Sequence, residues 1–385
     1  MSDNIMTRER ADVGSYDDIV AAAVRTTGMS DFGDGVHEEG LRVLTEDLAS
    51  PEAGLTPRGN YFQRSEVKSA LVGVLLTQAQ LAAHPEHRDV PIERPIFVMG
   101  LPRTGTTALH RLLHADPMAQ GLEMWITQYP QPRPPRDTWE SDPIFTAMQQ
   151  AFSAHHVESP DFMGIHYMDA TTVEECWRLL RQTGKSNSYE SLANLPRYTE
   201  WLRGQDWTDA YARHKENLQL VGLNDQDKRW VLKNPSHMTA LDALMTVYPD
   251  ALVVYTHRDP VTCIASSCSL SAETTAGHSS TYVGGVIGHT QLDLWSRAFH
   301  AFHDARPAHD QDQFADVAFS DLRKDPVGVT RALYEQWDLD WTPEVQAAIE
   351  EIDRESKSGH AAPKHDYSLK DYGLSEDQVR KAFER

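Results

Sequence analysis

A short apolar strand that feeds a glycine-bounded loop and then a helix constrains this chain more than any other feature: Pro95-Ile-Phe-Val-Met-Gly-Leu-Pro-Arg-Thr-Gly-Thr-Thr107. Gly100 and Gly105 frame four residues, with Thr106 and Thr107 behind them. That is the P-loop spacing G-x-x-x-x-G-K-[ST], with threonine in place of the lysine. Backbone N–H groups at a helix N-terminus, backed by the positive end of the helix dipole, make an anion cradle. Arg103 and the hydroxyls of Thr104, Thr106 and Thr107 add charge-assisted and neutral hydrogen bonds. The loop lacks the lysine that neutralises the outer phosphates during NTP hydrolysis. It is therefore expected to hold a terminal phosphate or phosphosulfate without being an ordinary ATPase.

Beyond Ile92 short β-branched runs alternate with helices, the mark of an α/β fold with a mostly parallel sheet flanked by helices. Strands are predicted at Ile96 to Met99, Trp230 to Leu232, Ala251 to Thr256 and Ala315 to Phe319. Asn234-Pro235, Asp259-Pro260 and Asp325-Pro326 each pair a capping side chain with proline at the first helical position. Functional groups of open α/β sheets gather outside the carboxyl ends of the strands, which places the loops at 100–107, 233–237 and 257–260 on one rim. Residues 1–90 read as an N-terminal helical segment packed on a main domain of residues 91–385, with helices at Tyr16 to Thr26, Val36 to Ala49 and Ser65 to Ala83. A helical insert at 121–223 opens on the proline-rich run Tyr129–Pro135 and continues through aromatic stretches at Phe152 to His156 and Phe162 to Met168. It is expected to cover the acceptor side of the site, although such stripes are as often plain core.

The net charge of −21 disfavours nucleic acid and anionic membranes as partners, so an anion site has to be a local island of basic residues. Cys176, Cys263 and Cys268 have no metal-ligand spacing and read as buried free thiols. No apolar run reaches membrane-spanning length and the N-terminus shows no signal peptide, so a cytoplasmic location without an integral membrane segment is expected.

Two further groups complete the rim. Arg258 stands just past the third predicted strand, and Ser266 stands eight residues on, against the side of the following helix. Between these and the loop lies Val231-Leu-Lys-Asn-Pro-Ser-His237. His237 falls at the third position of a helix, where the dipole disfavours imidazolium, so it is expected to stay neutral and serve as general base. Lys233 is placed to neutralise charge on a transferring group.

Together these residues resemble the sulfotransferases that use 3′-phosphoadenosine 5′-phosphosulfate (PAPS), most closely the bacterial and mycobacterial branch. Leu101-Pro-Arg-Thr-Gly-Thr-Thr107 resembles the loop for the 5′-phosphosulfate, and Arg258 with Ser266 the pair that grips the 3′-phosphate. The resemblance extends through Phe319-Ser-Asp-Leu-Arg-Lys-Asp-Pro326 and Lys364-His-Asp-Tyr-Ser-Leu-Lys-Asp-Tyr-Gly-Leu374. It implies that Arg103, Thr104, Gly105, Thr106 and Thr107 bind the sulfated end, that PAPS is the co-substrate and PAP the product, and that no metal is needed. His237 resembles the catalytic histidine of the cytosolic animal enzymes, although their lysine and histidine stand closer together than Lys233 and His237. Those enzymes also carry lysine where Arg103 stands, and related branches use a glutamate after the loop, which makes Glu123 the alternative base. The acceptor is expected to be a small apolar or amphipathic alcohol, and a homo-oligomer is left open. A P-loop kinase and a nucleotide-binding protein without catalysis are the competing readings, the first weakened by the missing lysine and the second by Lys233 and His237 beside two anion sites.

Overall fold

The structure is a computed structural model that describes residues 8–158, 169–358 and 368–385. Five strands, β1 (Ile96–Gly100), β2 (Ala119–Gln120), β3 (Arg229–Lys233), β4 (Leu252–His257) and β5 (Phe314–Ala318), form one parallel sheet in the order β2-β3-β1-β4-β5. The four longer strands fall where the sequence predicts them, within a residue or two at each end.

Both faces of the sheet are buried, which is why its central strands are apolar without alternation. Ile96, Val98, Val231, Leu252 and Val254 face one layer, which contains Leu109, Leu112 and Leu113 of helix Thr106–His114. Phe97, Met99, Leu232, Val253 and Tyr255 face the other. That second core also takes in Val13, Tyr16, Ile19, Leu41, Leu71 and Leu75 of the N-terminal helices and Trp125, Tyr198 and Tyr211 of the insert. The N-terminal helices thus share their apolar core with the sheet. Each fully buried Leu or Phe in these layers contributes roughly 1.5–3 kcal/mol.

The N-terminal helices are Tyr16–Thr27, Glu38–Leu48 and Pro57–Ala83. The third begins well before the predicted Ser65, because the Thr56 side chain accepts from the Gly59 amide and Pro57 occupies the first turn. Within the insert, helices run over Met124–Gln128, Pro143–Glu158, Trp177–Arg181, Pro196–Arg203 and Thr208–Val221. Trp125, Trp139 and Phe145 of the insert pack on one another with ring centroids 5.3–5.8 Å apart and are 0–5% exposed, so these aromatic side chains are core. The stretch Phe162 to Met168 and the four residues Lys364 to Tyr367 lie outside the described residues. Cys176, Cys263 and Cys268 are buried free thiols, and no helix among the described residues is long and apolar enough to cross a membrane.

β1 is the switch point of this topology: the chain reaches β2 and β3 on one side of it and β4 and β5 on the other. The crevice beyond the carboxyl end of such a strand is where open α/β sheets bind ligands.

Candidate active site

The glycine-bounded loop leaves β1 at that crevice. Gly100 lies opposite Thr256 of β4, and a Cβ there would stand 2.2 Å from the Thr256 carbonyl oxygen, so only glycine fits. Gly105, with φ 92°, caps helix Thr106–His114 without a side-chain bond to its first amides. Arg103 also has a positive φ, 70°, which costs a non-glycine residue energy and recurs at ligand-binding turns. Its side chain is exposed, with no ion pair or side-chain hydrogen bond among the described residues.

The loop's hydroxyls divide. Thr104 is fully buried; its Oγ1 donates to the Leu101 carbonyl at 2.6 Å and lies 2.6 Å from Thr256 Oγ1. That side chain ties the loop to β4, and the expected hydroxyl contact of Thr104 with an anion is not open to it. Thr107 is half-buried and accepts from Lys233 Nζ at 3.2 Å.

Lys233, the last residue of β3, is 2% exposed, and its ammonium also donates to Glu175 Oε1. Glu175 was not found from the sequence. Its position comes from a strand-like segment laid between Leu122–Glu123 and the end of β3: Val173 bridges Glu123, the Glu174 amide donates to Leu122 O at 2.7 Å, and the Cys176 amide donates to Lys233 O at 3.0 Å. Glu175 Oε2 has no partner among the described residues, and an ammonium has three donors, of which Glu175 and Thr107 take two. Thr107, Lys233 and Glu175 therefore form a chain of contacts from the loop toward the insert.

Glu123 is held elsewhere. Arg133, 8% exposed, donates to Glu123 Oε2 at 3.2 Å, to Gln120 Oε1 at 3.0 Å and to Asp225 Oδ2 at 2.9 Å. The glutamate is thus one arm of a buried ionic hub at the edge of the sheet.

The rim position read for His237 is not the one the chain adopts. Pro235–Ala240 is a 3-10 helix, and the His237 ring turns into the core with no exposure. It packs edge-on against Phe97 at 5.1 Å and near His214 at 6.1 Å, and its Nδ1 lies 2.7 Å from the Tyr211 hydroxyl. Its proton affinity is held well below the ordinary value, as expected, but burial and then His214 cause this, not a helix dipole. Replacing His237 with alanine removes a packed ring and orphans Tyr211, an expected loss of about 3 kcal/mol. In urea unfolding followed beside turnover, the midpoint should fall while the folded variant keeps its kcat. A large drop in kcat at an unchanged midpoint would return the histidine to the chemistry.

Arg258 does reach the loop. Its Nη1 donates to the Arg103 carbonyl at 3.2 Å, and its guanidinium lies 4.2 Å from the ring centre of Phe319, an aromatic partner that the sequence reading left unassigned. Ser266 is buried on helix Pro260–Thr274. The expected cap by Asp259 is absent: its carboxylate accepts from Arg380 Nη1 at 3.1 Å and from the Thr262 hydroxyl at 3.3 Å. The first amides of that helix consequently carry no side-chain cap. Asn234 and Asp325 do cap, accepting from the Ser236 and Gly328 amides.

A profile described as Sulfotransferase family matches residues 95–343, a span that includes all five strands. The chain belongs to that family. The sulfotransferase STF1 from Mycobacterium tuberculosis is 49% identical to it and superposes with a TM-score of 0.90 over 97% of this chain and 99% of that one. The sulfotransferase STF9 from Mycobacterium avium is 27% identical, with a TM-score of 0.87 over 97% and 96%. The omega-hydroxy-beta-dihydromenaquinone-9 sulfotransferase Stf3 of Mycobacterium tuberculosis is 24% identical over an alignment of 274 residues, and the match covers 64% of this chain and 63% of that protein. This sulfotransferase thus carries its family's match over the sheet and rim, and among the described residues no cluster of side chains could hold a metal ion.

Proposed function

We propose that this sulfotransferase moves the sulfuryl group of PAPS to the hydroxyl of an apolar or amphipathic acceptor. The observation that carries the reading is the chain Thr107–Lys233–Glu175 beside a loop whose far side is touched by Arg258. The 5′-phosphosulfate would lie on the amides of Gly105, Thr106 and Thr107, with Arg103 and Lys233 as its cations. The 3′-phosphate would lie between Arg258 and Ser266, close to the uncapped start of helix Pro260–Thr274.

Glu175, in place of His237 or Glu123, would act as general base. Its carboxylate takes the proton of the acceptor hydroxyl while that oxygen bonds to sulfur. The bond from sulfur to the bridging phosphate oxygen breaks, and PAP leaves with its electron pair. Lys233 stabilises charge on the sulfuryl oxygens and the departing phosphate. A relative whose name specifies a hydroxylated menaquinone supports a lipid-like alcohol as acceptor.

Sulfur-35-labelled PAPS, incubated with the protein and fractionated cell extract, should label an alcohol of the organic phase. Label confined to carbohydrate or peptide would exclude the apolar acceptor, and no transfer to any fraction would exclude the activity. In parallel, Arg258→Ala should lose most of the preference for PAP over adenosine 5′-phosphate, about a tenfold to hundredfold change for one charge-assisted phosphate contact. Retained preference would remove Arg258 from the 3′-phosphate site.

A further inference from the structure

Away from the rim, the N-terminal segment and helix Pro196–Arg203 border an open cavity of about 980 Å³ lined by Arg10, Arg25, Arg42, Arg64 and Arg197. Three carboxylates, Asp12, Asp18 and Glu46, share the lining with those five arginines. In a chain of net charge −21 this gathers five arginines at one place, although Asp17 and Glu38 reach Arg42 from outside the lining.

Arg64 is the built part of the cavity. Its Nη1 donates to the Val13 carbonyl at 2.9 Å and its Nη2 to the Asp18 carbonyl at 3.3 Å, so backbone dipoles hold the guanidinium without a direct carboxylate contact. The backbone is shaped around it: Gly14 has φ +80°, and a Cβ there would stand 2.4 Å from Arg64 Nη1. Burial, and then the charge of Arg10, weaken the hold of Arg64 on its proton, with Asp18 acting in the opposite sense and Arg25 adding to the effect. Arg25 is exposed and has no ion pair among the described residues. The other three are in exposed pairs, Arg10 with Asp12 at 3.6 Å, Arg42 with Asp17 and Glu38, and Arg197 with Glu46 at 3.2 Å. Such pairs contribute little and exchange readily for a stronger anion. A fixed guanidinium with two movable ones beside it suits the forked, bidentate binding of a tetrahedral oxyanion.

We propose that this cavity binds a phosphate- or sulfate-type oxyanion between Arg64, Arg25 and Arg10, at a site that shares no residue with the candidate active site. The oxyanion could belong to a free anion or to a lipid headgroup, and the two are separated by experiment. The full chain, with PAP at saturation to fill the rim, is titrated with inorganic phosphate by calorimetry and sedimented with phosphatidylglycerol vesicles. Both are repeated on an Arg10→Gln, Arg25→Gln double variant, which changes exposed side chains and leaves Arg64 and its carbonyl partners in place. Phosphate binding should weaken at least tenfold in the variant, with PAP affinity unchanged. Loss of vesicle binding together with phosphate binding assigns the site to a headgroup; loss of phosphate binding alone assigns it to a free anion. Equal behaviour of the two proteins in both assays, or no binding by either, overturns the proposal.

Discussion

Glu175→Gln is expected to lower kcat by ~10²–10⁴-fold, the worth of a positioned general base, with donor affinity close to that of the wild type. Glutamine keeps an acceptor for Lys233, which is 2% exposed and would otherwise be left as an unpaired buried charge. The amide should therefore preserve the fold, whereas alanine is expected to cost about 3–5 kcal/mol of stability as well. Melting temperature and single-turnover rate, read on the same sample, separate the two effects. Glu123→Gln serves as the counterpart: its carboxylate pairs with Arg133, so its loss should appear mainly in stability. If Glu175→Gln turns over at the wild-type rate while Glu123→Gln does not, the base assignment moves to Glu123.

Lys233→Ala should reduce kcat by ~10²–10³-fold, comparable with the removal of one oxyanion donor. The ammonium touches Thr107 at the loop, and its charge matters most when negative charge shifts toward the bridging phosphate oxygen. The KM of PAPS should rise far less than kcat falls, because the loop amides and Arg258 still hold the nucleotide. A variant that loses only donor affinity, with kcat intact, would show that Lys233 binds the ground state and does not favour the transition state. Combining Lys233→Ala with Glu175→Gln should cost less than the sum of the single losses, since the two side chains contact each other.

The strand, the loop and the helix behind it were legible because the signal is local: β-branched and apolar residues, then two glycines at backbone positions that tolerate no Cβ or need a positive φ. β2 was not, since two residues become a strand only through pairing with Arg229 and Trp230, far away in the chain. Glu175 escaped for the same reason. Nothing near it in sequence marks it, and its place follows from contacts of its segment with Leu122 and Lys233. His237 departs from the sequence reading in its local geometry. A helical start suggested by Asn234-Pro235 became a 3-10 turn, which rotated the imidazole toward Tyr211 and away from the rim. Arg258 comes to the loop because it directly follows a strand end on that rim, whereas Thr104 turned inward because a loop residue can turn either way.

The loop is fastened twice, through Thr104 against Thr256 of β4 and through Arg258, just beyond the end of β4, on the Arg103 carbonyl. On the proposed reading, in which the loop and the Arg258–Ser266 pair each hold one phosphate, the two grips would act as the jaws of a caliper set to one opening. A ligand with charges at both ends gains the second contact at a high effective concentration once the first is made, whereas a ligand with one charge gains nothing from the other jaw. Selection by such a device acts on the span between charges as much as on the charges themselves. Loosening either fastening should therefore blur the choice of nucleotide before it abolishes binding.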